Sequence, residues 1–126
     1  MEAQNFKLLE DSKGALVKCR KALEKISTTC CVAERSPNMN EAFIELDSIF
    51  QSIGHSSLDQ KQYYSAIDGI GQFGSKIGWL YATCCSETRE PMYQSIFKEL
   101  NFAHANFWRI LSIEHWALSI EHQAPS

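Results

Sequence analysis

The sequence predicts an all-α fold, a four-helix up-down bundle. Apolar residues recur at three-then-four spacing through four long segments, no segment alternates with period two, and the segment boundaries carry proline, glycine or a capping pattern. A chain of 126 residues with 44% apolar and 21% charged residues suits a single helical-bundle domain, residues 1–126, with its own core.

The first helix is expected over about residues 5–34, where Leu9, Leu16, Cys19, Leu23, Ile26, Cys30 and Ala33 form the stripe and Lys13, Lys18, Lys21 and Lys25 lie off it. Ser36-Pro37 places a capping hydroxyl before a proline suited to a first turn, and Phe43, Leu46, Ile49, Phe50 and Ile53 follow up to Gly54. A second helix over residues 37–53 results. Ser57-Leu58-Asp59-Gln60 has the form of a capping box, with Ser57 as cap. It opens a third helix over residues 58–86, whose expected core stripe is Tyr63, Ile67, Ile70, Gly74, Ile77, Tyr81 and Cys84. Glycine costs about 1 kcal/mol in a helix interior, so a break near Gly69–Gly71 is the alternative to a continuous helix. Beyond Ser86-Glu87-Thr88 and Pro91, the fourth helix covers residues 91–122 on a stripe of Tyr93, Ile96, Leu100, Ala103, Phe107, Leu111 and Leu118.

Charge and composition narrow the function. A net charge of −3 and a pI of about 5.8 argue against a surface that neutralises phosphates, so no nucleic-acid partner is expected. The opening residues lack a basic stretch followed by an apolar one, and no apolar run approaches the roughly 18 residues of a membrane span. A cytoplasmic protein with no membrane contact is the expectation. Its five cysteines include no Cys-x-x-Cys pair, which points to reduced thiols and not to a disulfide framework.

Several motifs resemble chemistry in spelling only. Gly69-Ile70-Gly71-Gln72-Phe73-Gly74 has the letters of a dinucleotide fingerprint, but that fingerprint needs a preceding strand and must open a helix. Here a helical pattern precedes it. On a helical wheel Gly71, Gly74 and Gly78 gather beside the core stripe, so close helix packing is their expected role, and no cofactor is expected. The vicinal pairs Cys30-Cys31 and Cys84-Cys85 would lie at one end of an up-down bundle, as a metal or redox sensor would need. Neighbours on a helix point about 100° apart, however, and structural zinc sites prefer spacings of two to four residues, so buried filler is the preferred reading. His104, His115 and His122 share an edge of the fourth helix, but about 10 Å or more of helix rise separates each from the next. They therefore cannot ligate one ion.

Arg109 and His115, with five residues between them, resemble the Arg-x(4–6)-His motif of helical HEPN-type ribonucleases. The resemblance covers two residues, and Ile110 stands where those enzymes usually carry a polar side chain. It implies a small ribonuclease with Arg109 and His115 as its catalytic pair.

The leading expectation comes from a surface. With Phe107 facing the core, Phe102, Ile113, Trp116 and Ile120 project from roughly the opposite side of the fourth helix, and Trp79 falls on the polar side of the third. An apolar stripe that holds tryptophan usually marks an interface. The chain therefore reads as a non-enzymatic interaction module, a regulator, adaptor, inhibitor or immunity-type protein that binds a protein partner or forms a homodimer. The ribonuclease is the alternative, and the cysteine-based sensor comes third. The first helix is basic at Lys13, Lys18, Arg20, Lys21 and Lys25, and the second is acidic at Glu41, Glu45 and Asp47. These faces are complementary within the bundle or across a dimer, and a local acidic partner for the first helix is also compatible with them.

Overall fold

In a computed structural model, four helices follow one another: α1 (Ala3–Thr29), α2 (Pro37–Ile53), α3 (Gln60–Thr83) and α4 (Glu90–Gln123). The structure describes the backbone of residues 3–29, 37–54, 59–83 and 89–123, and the side chains of residues 5–28, 37–54, 59–83 and 89–113. Every neighbouring pair is antiparallel. Cys19 of α1 meets Ile96 of α4, and Lys25 shares a groove with Pro91. Glu41, Ile49 and Ser52 of α2 meet Lys76, Gly69 and Ser65 of α3 in turn. Tyr63 and Tyr81 of α3 meet Phe107 and Tyr93 of α4. The tightest packing is α1 on α4 and α2 on α3, with α3 on α4 joining the pairs and α1 touching α2 only lightly.

Each helix forms because one stripe of it can be buried against the others. On α1 the stripe is Leu9, Leu16, Cys19, Leu23 and Ile26, extended by Ala15 and by the polar residues Asn5 and Ser12. The Ser12 hydroxyl donates to the Leu8 carbonyl at 2.7 Å, so a polar side chain is buried while satisfied within its own helix. On α2 the buried residues are Met39, Ala42, Leu46, Ile49 and Ile53, and Phe43 and Phe50 are half-buried at the edge. On α4 they are Tyr93, Ile96, Leu100, Ala103, Phe107, Ile110 and Leu111. Leu118, Cys30, Ala33 and Cys84, which the expected stripes also contain, lie outside the residues whose side chains are described.

The third helix departs from expectation in three ways. It runs unbroken from Gln60 to Thr83, so the break near Gly69–Gly71 does not occur. Burial of Ile70 between these glycines and of Phe73 just after them supplies the tertiary packing that outweighs their low helix propensity. Its core stripe is Tyr63, Ala66, Ile70, Phe73, Ile77 and Leu80, so Phe73 and Leu80 take the places expected for Gly74 and Tyr81. Its cap also lies two residues later than Ser57-Gln60. Asp59 accepts from the Gln62 N–H at 3.1 Å, and the Gln62 side chain accepts from the Asp59 N–H at 2.8 Å. That is a reciprocal capping box, with a carboxylate at the positive end of the helix. Ser57 lies outside the described residues.

The glycines divide by what surrounds them. A Cβ at Gly69 would sit 2.7 Å from Ile49 Cγ1, and one at Gly74 would sit 3.3 Å from Leu100 Cδ2. At Gly71 and Gly78 it would meet nothing within 4 Å, so the close packing expected of these two is absent. Gly71 is exposed on the outer side of α3, whereas Gly69, which the core pattern does not single out, is where α2 approaches most closely.

The charge complementarity of α1 and α2 is carried by Arg20. Its guanidinium pairs with Asp47, lies 5.6 Å from the Phe43 ring centre and reaches Glu24 through Nε at 3.3 Å. Glu41 instead pairs with Lys76 of α3 at 2.6 Å. These pairs are exposed and contribute at most about 1 kcal/mol each, so they orient the helices more than they stabilise them.

Gly71→Ala and Gly78→Ala are expected to raise stability by about 0.5–1 kcal/mol each through helix propensity alone. Gly69→Ala is expected to lower it by about 1 kcal/mol, because Ile49 is β-branched and cannot swing its Cγ1 away freely. Thermal or urea unfolding of the three variants checks both signs.

Candidate functional site

The outer face of α4 holds the residues singled out for contact. Phe102 is 47% exposed and Ile113 is half-buried, while the side chains of Trp116 and Ile120 lie outside the described set. Trp79 on α3 is 45% exposed. Pro91, Ser95, Phe102, Arg109, Ile113, Trp116 and Ile120 follow one another at steps of four, seven, seven, four, three and four, which keeps them on one side of α4.

The length of α4 gives this face its character. With Cys19 opposite Ile96, Ala3 sixteen residues earlier falls opposite Ser112 sixteen residues later. With Tyr63 opposite Phe107, Gln60 three residues earlier falls opposite Ile110. From Ile113 to Gln123 no other described helix therefore runs beside α4, and it projects for about 16 Å at 1.5 Å per residue.

At the other end of α4, a groove of about 330 Å³ lies between α1 and α4. Ala22, Pro91 and Met92 supply apolar surface, Ser95 a hydroxyl, and Lys18, Lys21 and Lys25 a basic wall along α1. Lys7, Lys13, Arg20 and Lys76 each have a carboxylate within 4 Å, but among the described residues Lys18 and Lys21 have none. The basic character of α1 was visible in the sequence; that Pro91 and Met92 would lie beside its lysines was not, because it depends on the α1–α4 register.

A second exposed aromatic group escaped the sequence reading. Trp108 is 43% exposed and Tyr64 is 52% exposed, their rings meet edge to face at 5.9 Å, and the indole N–H donates to His104 Nε2 at 3.2 Å. They border a shallow hollow of about 240 Å³ with Leu111 and Ser112. Trp108 is next to Phe107 and so was hidden beside the core stripe; only the contact with α3 pairs it with Tyr64.

The chemical alternatives fare as follows. Arg109 is exposed on the outer face, and the side chain of His115 lies outside the described residues, so the ribonuclease pair is not brought together by anything described. The fingerprint glycines sit in the middle of α3 and open no helix, which removes the phosphate-binding context of that motif. Cys30, Cys31, Cys84 and Cys85 lie outside the described residues. Among the described residues, no three His, Cys, Asp or Glu side chains converge as metal ligands, and no helix is long and apolar enough to cross a membrane.

With the geometry in view, known proteins offer no guide. No family model, curated protein or solved structure matches this chain. Function has to be argued from the surface itself.

Cys19 is fully buried, its thiol donating weakly to the Ile96 carbonyl at 3.6 Å. Burial, reinforced by nearby Glu99, pushes its pKa up to about 12 from an ordinary value near 9. The raised folded value means that its contribution to stability is complete below about pH 9 and is lost as pH rises toward 12, because the unfolded chain ionises first. Cys19 is accordingly expected to resist iodoacetamide until the protein unfolds. Mass mapping of the modified thiols checks this, and the stability of the wild type relative to Cys19→Ala should fall between those two pH values.

Proposed function

We propose that this chain is a helical protein-interaction module that associates with itself through the outer face and projecting end of α4. The observation that supports it best is the mismatch in length: α4 continues past the register positions where α1 and α3 begin. In that projecting stretch Ile113, Trp116, Ala117 and Ile120 recur at steps of three, one and three. Such spacing gives a helix one apolar side, and apolar sides of helices are stable only when covered. Phe102 carries the same side back along the bundle. A contact of this kind suits a small regulator, adaptor, inhibitor or immunity-type protein, whose function is to occupy another surface.

Truncating a tryptophan at the centre of an interface commonly costs about 2 kcal/mol or more. Trp116→Ala combined with Ile113→Ser is therefore expected to weaken self-association at least about thirtyfold, with helicity by circular dichroism retained. Sedimentation over a concentration series measures it. A monomeric wild type, together with a quencher-shielded Trp116 in a variant keeping that tryptophan alone, would instead make the stripe part of the protein's own core.

A further inference from the structure

We infer that the lysine-walled groove between α1 and α4 is the docking site for the projecting end of α4 from a second copy of this chain. The inference rests on the self-association reading and specifies its geometry. The groove has the makings of a helix-binding surface: an apolar floor at Ala22 and Met92, and cationic side chains along one wall. A helix that fits it needs an apolar side and carboxylates along one edge. The projecting end of α4 has that pattern in its sequence, Ile113-Glu114-His115-Trp116-Ala117-Leu118-Ser119-Ile120-Glu121.

The spacings agree. Lys18 and Lys25 are seven residues apart on α1, two helical turns or about 10.5 Å, and Glu114 and Glu121 are seven residues apart on α4. On the wheel Glu114 and Glu121 occupy nearly one direction, beside the Ile113, Trp116, Ala117 and Ile120 side. One edge of the incoming helix can thus offer a carboxylate to each end of the lysine row while its apolar side covers Ala22 and Met92. Lys18 and Lys21 have no carboxylate of their own chain within 4 Å among the described residues, so docking need not break an existing pair there.

Symmetry strengthens the match. The groove lies at the start of α4 and the projecting end at its finish, so two copies placed side by side and antiparallel fill both grooves at once. If residues 114 and 121 of each copy lie level with Lys18 and Lys25 of the other, residue 116 falls level with Ser95 and the two-fold axis passes between residues 105 and 106, between exposed Phe102 and Arg109 on the same side of α4. Phe102 then packs near the centre of one continuous interface that runs along the stripe from Pro91 to Ile120. The contact closes on itself as a dimer and does not propagate into fibres.

Charge exchange tests this. Sedimentation of the full chain is compared for wild type, Lys18→Glu with Lys25→Glu, Glu114→Lys with Glu121→Lys, and the fourfold variant. Each double reversal should weaken the dimer at least about tenfold, and the fourfold variant should recover to within about threefold of wild type. Equal mixing of the two double reversals should also restore association, as a dimer of unlike copies, since the acidic groove of one copy meets the basic tail of the other while the native groove of the second meets the native tail of the first. Dimerisation that ignores both reversals but is lost in the Trp116→Ala with Ile113→Ser variant would overturn the groove assignment and leave the α4 contact standing. A wild type that stays monomeric at all concentrations would overturn both. Circular dichroism confirms folding of each variant, and the lysines are exposed enough that their reversal should leave the fold intact.

Discussion

The antiparallel register of α4 against α1 and α3 is the constraint on which the other features depend. Cys19 opposite Ile96 and Tyr63 opposite Phe107 fix how far α4 slides along its neighbours. Once that slide is set, Phe107, Ile110 and Leu111 must be core, because they stand where α1 and α3 still run. Residues past Ser112 lie beyond both helices. The same slide carries Pro91 and Met92 beside Lys18 and Lys25, creating the groove at the opposite end. Cohesion comes from the buried stripes, whose large side chains include Tyr63, Phe73, Tyr93 and Phe107, since apolar burial contributes roughly 25 cal/mol per Å² and exposed ion pairs contribute little.

Local geometry then limits which helices approach closely. At Gly69 the missing side chain lets Ile49 come within 2.7 Å of where a Cβ would be, which draws α2 onto α3. Gly14 of α1 meets no such neighbour among the described residues, and Arg20 spans from α1 to α2 by pairing with Asp47 while lying over the Phe43 ring. At the α3–α4 corner the Tyr81 hydroxyl donates to Glu90 at 2.9 Å and its ring packs on Tyr93 and Phe97, so the first turn of α4 is tied to the last turn of α3. That hydrogen bond to a carboxylate raises the Tyr81 pKa above its ordinary value. The start of α4, which borders the lysine groove, is therefore held by aromatic packing on one side while its other side remains open.

Nothing among the described residues assembles the features of a catalytic centre: a nucleophile beside a base, a cluster of metal ligands, or a phosphate loop in its proper context. What the described surface offers is contact area. Exposed aromatic residues occur both on the outer face of α4 and in the Tyr64–Trp108 pair, and lysines edge the groove. Under the self-association proposed above, aromatic anchors would supply binding energy and charges orientation.

The fold was legible in the sequence because helix stripes are a local, periodic signal. Leu16, Leu23, Leu46, Ile49, Tyr93, Ile96 and Phe107 all announce their burial through spacing alone. Proline at residue 37 and the break before Pro91 marked two helix starts in the same way. Signals without a period were misread: Asp59 and Ser57 compete as caps on nearly equal terms, and the two-residue shift is decided by where the packed helix needs to begin. Gly69 and Gly71 look alike in the sequence, yet only the one facing Ile49 needs to be glycine. The candidate surface was half legible. The apolar side of α4 follows from spacing, whereas the projection of α4 and the meeting of Lys18 with Met92 require two helices distant in sequence to adopt one register. The sequence by itself determined which side of each helix is apolar, because that depends on neighbours a few residues away. Only the tertiary structure decided how far each helix slides along the next, because that depends on the fit of side chains across the core, and the slide places both the groove and the projecting end.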